Sequence, residues 1–142
     1  MAGSGNVLGQ SPVHTPEPFF ERLLTRGALE YQVGNYSAAS RTLEIASFGL
    51  METLDLYQRA QVLLSLSEQG RGNLVEARAA VRRVLQVESI APTYPPADLD
   101  PEIQARFEAT VERLLPEAEL PPQGRALPPI QDETPVKSES GR

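Results

Sequence analysis

From Phe19 onward, apolar residues recur at steps of three and four. Phe19, Phe20, Leu23, Leu24, Gly27, Ala28 and Tyr31 fall on one stripe of a helix. Gly34-Asn35 interrupts the stripe, and Tyr36, Ala39, Leu43 and Ala46 resume it. A second pair follows: Leu56, Ala60, Leu63, Leu64 and Leu66, a break at residues 70–72, then Leu74, Ala77, Val81 and Val84. After a connector at 92–101 (PTYPPADLDP), Ile103, Phe107, Val111, Leu114 and Leu115 repeat the step until Pro116. Asp100 is placed to cap that last helix, with Pro101 in its first turn. The spacing predicts an all-α chain of five helices, two antiparallel hairpins and one more, with no strand.

The prolines mark the same boundaries. Of 13, three lie in the first 18 residues, none in 19–91, and ten in 92–135. Pro breaks helix interiors, so its absence from 19–91 agrees with the helical period. Residues 1–16 carry no charged side chain and read as a flexible or extended N-terminal arm. The helical domain is expected over 17–116, and residues 117–142 as a Pro-rich extended or disordered tail.

Composition removes several chemistries. With no Cys there is no disulfide framework, zinc ribbon or redox motif. The one His, His14, lies in the polar N-terminal stretch, which argues against a His-based metal site or a Ser-His-Asp triad. Thirteen Lys and Arg against 19 Asp and Glu, net −6, argue against nucleic acid. No apolar run suffices to span a bilayer, and the N-terminus lacks the basic and apolar regions of a signal peptide. The default expectation is cytoplasmic.

The two helical pairs also align with each other. Residues 34–46 (GNYSAASRTLEIA) match 72–84 (GNLVEARAAVRRV) at an offset of 38. Gly34/Gly72, Asn35/Asn73, Tyr36/Leu74, Ala39/Ala77, Leu43/Val81 and Ala46/Val84 correspond in kind. Gly-Asn allows the positive φ of a tight reversal, and the Ala column suits closely approaching helices. This pattern resembles the tetratricopeptide repeat family, of bacterial type. Gly27, Gly34, Tyr36, Ala39, Leu43 and Ala46 carry the resemblance in the first repeat (about 19–52). Its first-helix aromatic is displaced onto Tyr31, with Glu30 at the usual position. Leu64, Ser65, Gly72, Leu74, Ala77, Val81 and Val84 carry it in the second (about 54–90), which lacks the aromatics. The offset exceeds the family period of about 34, and the extra residues are placed in the 48–55 connection. A looser resemblance, over 84–107, is to the connector and final helix that follow such repeats in bacterial envelope proteins. Helix 101–115 then caps the stack.

The resemblance implies helical hairpins stacked in a right-handed superhelix, with first helices lining a groove for a partner segment. Carried over residue by residue, the groove positions are Glu21, Leu24, Ala28, Tyr31 and Gln32, then Arg59, Val62, Leu66 and Gln69. Leu24 and Ala28 stand where the chaperone-binding branch has a carboxylate-clamping Lys and Asn, so an apolar ligand is expected instead. The alternative is that the final helix fills this face, or that the face is merely core. Arg71, Arg78, Arg82 and Arg83 form a candidate basic patch, to be weighed against a solvated face balanced by Glu76 and Glu88. Glu102, Glu108 and Glu112 read as surface charge. Gly70-Arg71-Gly72 lacks the Lys-Ser/Thr of a phosphate loop.

These readings converge on a non-enzymatic scaffold or accessory subunit of a larger assembly, with no cofactor and no metal. Its partners are other protein subunits, met through the groove and the Pro-rich arms, with membrane contact only indirect or peripheral. The alternative is a docking or regulatory domain of a cell-envelope repeat protein or of a longer enzyme, which would place the chain in the periplasm or envelope.

Overall fold

Residues 18–120 are described by a computed structural model. Five helices follow in order: α1 (Pro18–Gln32), α2 (Tyr36–Gly49), α3 (Leu54–Gly70), α4 (Leu74–Ile90) and α5 (Pro101–Leu114), then a 3-10 turn, Glu117–Glu119. No strand occurs among the described residues. Helices adjacent in sequence pack on one another through α4, giving two hairpins, and α5 lies against α3 and α4. The expected N-terminal arm, with His14, and most of the expected tail lie outside the described residues.

The internal alignment holds at the level of individual hydrogen bonds. At the first turn, the N–H groups of Val33, Gly34 and Asn35 donate to the carbonyls of Leu29, Tyr31 and Glu30, at 3.1, 3.0 and 2.9 Å. At the second turn, Arg71, Gly72 and Asn73 donate to Ser67, Gln69 and Glu68, at 3.1, 3.0 and 2.8 Å. Every donor and acceptor is displaced by the same 38 positions. Gly34 and Gly72 take φ of +83° and +84°, where a Cβ is disfavoured by about 1–2 kcal/mol. The Ala, large apolar and small columns (Ala39, Leu43, Ala46; Ala77, Val81, Val84) are all fully buried.

Close approach is enforced by small residues elsewhere. A Cβ on Gly70 would lie 2.7 Å from the Tyr36 ring, and one on Gly49 would lie 2.2 Å from that of Phe20. Asp100 caps α5, accepting from the Glu102 N–H at 2.8 Å, with Pro101 at the first turn as the sequence indicates.

The folded unit runs further than the sequence boundary at Pro116. Residues 117–120 are not a free tail: Leu120 packs partly buried on the core, and Glu119 accepts from Arg82 at 3.0 and 3.2 Å. This pair holds the Glu119 carboxyl below its ordinary range, chiefly through the Arg82 hydrogen bond. A depressed carboxyl contributes above its unfolded pKa and is lost as pH falls through the carboxylate range. The amide protection factors at Glu119 and Leu120, corrected for the intrinsic pH dependence of exchange, are therefore expected to fall on acidification, and Arg82→Gln should abolish that fall. Unchanged protection across the acid range would refute the tether.

Candidate functional site

The face formed by α1 and α3 is where a partner segment is expected from the repeat resemblance. In the structure, α5 occupies it. Arg106 donates to the Tyr31 hydroxyl at 3.0 Å, and Gln69 donates to the Thr110 hydroxyl at 2.9 Å while accepting from Arg113. Beneath these contacts lie the apolar side chains of α5: Phe107 is fully buried, Ile103 and Val111 nearly so.

The nine groove positions divide accordingly. Leu24, Tyr31, Val62 and Leu66 are buried in the core and present nothing to a partner, which corrects their placement on an open groove. They belong to one apolar cluster with Ile103, Phe107 and Val111 of α5. Tyr31 and Gln69 spend their polar atoms on α5. Ala28, Gln32 and Arg59 remain at the edge of α5, around a crevice of about 220 Å³ shared with Asp98, Leu99 and Ile103. Glu21 is exposed on the first turn of α1, and the structure gives it no part in that crevice.

The candidate basic patch is dispersed in the same way. Arg71 lies 3.5 Å from the Glu68 carboxylate, and Arg78 donates to the Leu114 carbonyl at 2.8 Å, satisfying the C-terminal end of α5. Arg82 holds Glu119, and Arg83 donates to Gln61 at 3.0 Å. Three of the four guanidinium groups, Arg78, Arg82 and Arg83, thus hold helices and the C-terminal turn together, while Arg71 pairs locally at the end of α3. The local pattern of charge along one helix cannot reveal the three long-range pairings, because their acceptors are distant in sequence.

A buried polar network also escaped the periodicity argument. Gln58, fully buried, donates to the Val84 carbonyl at 3.3 Å and accepts from the Thr93 hydroxyl at 2.7 Å. Glu88 accepts the N–H groups of Thr93 and Tyr94 at 3.1 and 2.9 Å. Together they fasten the start of the connector to the second hairpin. Gln61 links three helices, donating to Ser47 at 3.0 Å and accepting from Arg83. The signal available in the sequence was Gln58 and Gln61 at a helical step inside an otherwise apolar stripe.

Tyr94 carries the connector onto α5. Its ring lies 5.9 Å from Phe107, and its hydroxyl donates to Glu108 at 3.1 Å. Glu108, expected as surface charge, is half-buried and also accepts from Gln104 at 2.9 Å. Burial first, then the neighbouring Glu108 carboxylate, push the Tyr94 phenol above the ordinary tyrosine range. A raised pKa means stability that is complete below about pH 10, the unfolded tyrosine value, and lost as pH rises above it. Tyr94 is expected to resist ionisation until the chain unfolds, as read by phenolate absorbance. Tyr94→Phe should flatten the alkaline loss of stability; an equally steep loss in that variant would exclude Tyr94 as its source.

What stays open is apolar surface elsewhere. Phe48 is 77 % exposed, and Ile45 and Met51 are also exposed beside it. Phe48 and Met51 line a crevice of about 190 Å³ with Ser47, Tyr57, Leu64 and Arg83, where α2, α3 and α4 meet. No helix among the described residues is long and apolar enough to cross a membrane. No protein family, no curated protein and no solved structure matches the chain.

Proposed function

We propose that the chain is a non-enzymatic interaction subunit, a two-repeat tetratricopeptide-like module that holds other proteins in a larger assembly. The observation that carries this reading is the crevice at Phe48. A fold whose groove is filled by its own helix still leaves large apolar side chains clustered outside, and such patches on small proteins mark contact sites. The repeat supports it as well, since stacked hairpins are frameworks that present surfaces. The Pro-rich segments 1–17 and 121–142 would serve as further contact arms, because extended Pro-rich chain has little entropy to lose on binding.

The full chain, tagged and purified gently from the cells that make it, is expected to elute within a stoichiometric complex larger than itself. Phe48→Asp should release that partner by about tenfold or more, as removal of a central anchor does. Elution as a lone monomer from native extracts would overturn the reading.

A further inference from the structure

The internal repeat says what belongs on a face of α1 that the described residues leave bare. In the second repeat, α3 presents Tyr57, Gln61 and Leu64 to α2: the three line the crevice with Ser47, Phe48 and Met51, and Gln61 donates to Ser47. The C-terminal end of α3 meets the start of α2, with Gly70 against the Tyr36 ring. Thus α2 is the antiparallel helix that covers α3.

Shifted by 38 positions, the same stripe on α1 is Phe19, Leu23 and Arg26, continued by Leu29 where α3 has Ser67. The equivalents differ sharply in exposure. Leu64 is 3 % and Ser67 0 % exposed. The Arg26 side chain is 69 % exposed and Leu29 56 %. Val33 extends the apolar line at the end of α1 and is exposed too. At the opposite end of the stack, α5 and residues 117–120 supply the covering element. At the α1 end none is present among the described residues.

Charge selects the occupant. The stripe carries Arg22 and Arg26 among its apolar residues, where α3 has Ala60 and Leu64. Arg26 is shared with Glu30 at 3.0 Å, and Arg22 has no ion-pair partner among the described residues. Residues 1–16 contain no carboxylate and cannot answer these arginines. Residues 121–142 hold Asp132, Glu133 and Glu139, but prolines at 121, 122, 128, 129 and 135 leave no uninterrupted run as long as α2 from which a covering helix could form. A two-fold pairing of α1 with a copy of itself, centred on the stripe, sets Arg26 against its symmetry mate. We propose that this face of α1 docks an acidic amphipathic helix of a partner protein, in the place that α2 takes against α3. The inference rests on the interaction-subunit reading and names a surface and a partner chemistry for it.

The test places a photo-crosslinking benzoylphenylalanine at Val33, on the rim of the stripe, in the full chain in its own cells. The expected product is an adduct with a different protein, mapped by mass spectrometry to a helical segment bearing carboxylates beside an apolar stripe. Arg22→Glu with Arg26→Glu should cut adduct yield about tenfold while leaving the thermal melt unchanged. Changing the mapped carboxylates to Lys should restore it. The milder Arg22→Gln with Arg26→Gln should lower the yield severalfold and guards against a folding artefact of charge reversal. An adduct with a second copy, an adduct with residues 1–17 or 121–142 of the same chain, insensitivity to both double variants, or no adduct at all would each overturn the proposal. If the chain still purifies within a larger complex in any of those cases, only this surface assignment falls; a lone monomer removes the function reading as well.

Discussion

Replacing Phe107 by Ala is expected to lower the stability of the helical unit by about 3–5 kcal/mol, the range for deleting a buried aromatic ring. Phe107 is the largest fully buried side chain among the described residues, and with Ile103 and Val111 it seats α5 in the core. On one side it meets the Tyr94 ring of the connector; within α5 it stands between Ile103 and Val111, one turn away in each direction. The hydrogen bonds from α5 to Tyr31, Gln69 and Arg78 each contribute about 0.5–1.5 kcal/mol, and they depend on the helix lying in place. Removing the ring that seats α5 weakens them as well. Domains of this size have about 5–15 kcal/mol in total, so the loss is a large share. Urea unfolding followed by circular dichroism measures it. A reduced m value together with the lower midpoint would mean that α5 is already released in the folded state. Phe48→Ala is the matched control, with an expected change within about 0.5 kcal/mol in the isolated chain, because that ring is exposed. A loss below about 1 kcal/mol for Phe107→Ala would contradict the seating of α5 described above.

The contrast between these two phenylalanines also shows what periodicity can and cannot reveal. Helix positions, turns and the 38-residue repeat follow from local physics: a 3.6-residue period, a glycine at positive φ, a Pro after an Asp cap. All are legible in one dimension, and the turns match bond for bond. The face of α1 and α3 was equally legible as apolar, so the choice between a partner and the chain's own final helix stayed open. That choice is made by Arg106, Thr110 and Arg113 meeting residues about 40 to 75 positions earlier, Tyr31 and Gln69. The arginines illustrate the converse. As a string, Arg78, Arg82 and Arg83 suggest a patch, but a guanidinium reaches about a turn in every direction. Their acceptors, Leu114, Glu119 and Gln61, arrive from three different elements. Charge along a helix reports where cations start and says little about where they end. The boundary at Pro116 failed for a related reason: composition registers that residues 117–120 are acidic and proline-flanked, but not that Arg82 waits opposite them.

The small residue of the first helix allows a sharper experiment on the repeat itself. A Cβ on Gly27 would lie 2.6 Å from Leu43, so the two positions share one volume. In the second repeat the equivalent positions hold Ser65 and Val81, both fully buried. The repeats therefore divide a similar space differently: no side chain against Leu in one, a small side chain against Val in the other. Gly27→Ser alone is expected to cost about 1–3 kcal/mol, because Leu43 cannot retreat in a closely packed core. Leu43→Val alone should cost about 0.5–1.5 kcal/mol for the methylene and the space it leaves. In the double variant the serine occupies what the leucine vacates. The combined loss should then fall short of the sum of the two by about 1 kcal/mol or more, a coupling that independent sites do not show. Additive losses would mean that Gly27 and Leu43 are not paired, and the structural equivalence of the two hairpins would reach no further than their turns. A coupling of the expected sign would establish that the second hairpin repeats the packing of the first. That packing equivalence is the premise on which the uncovered face of α1 is assigned its missing helix.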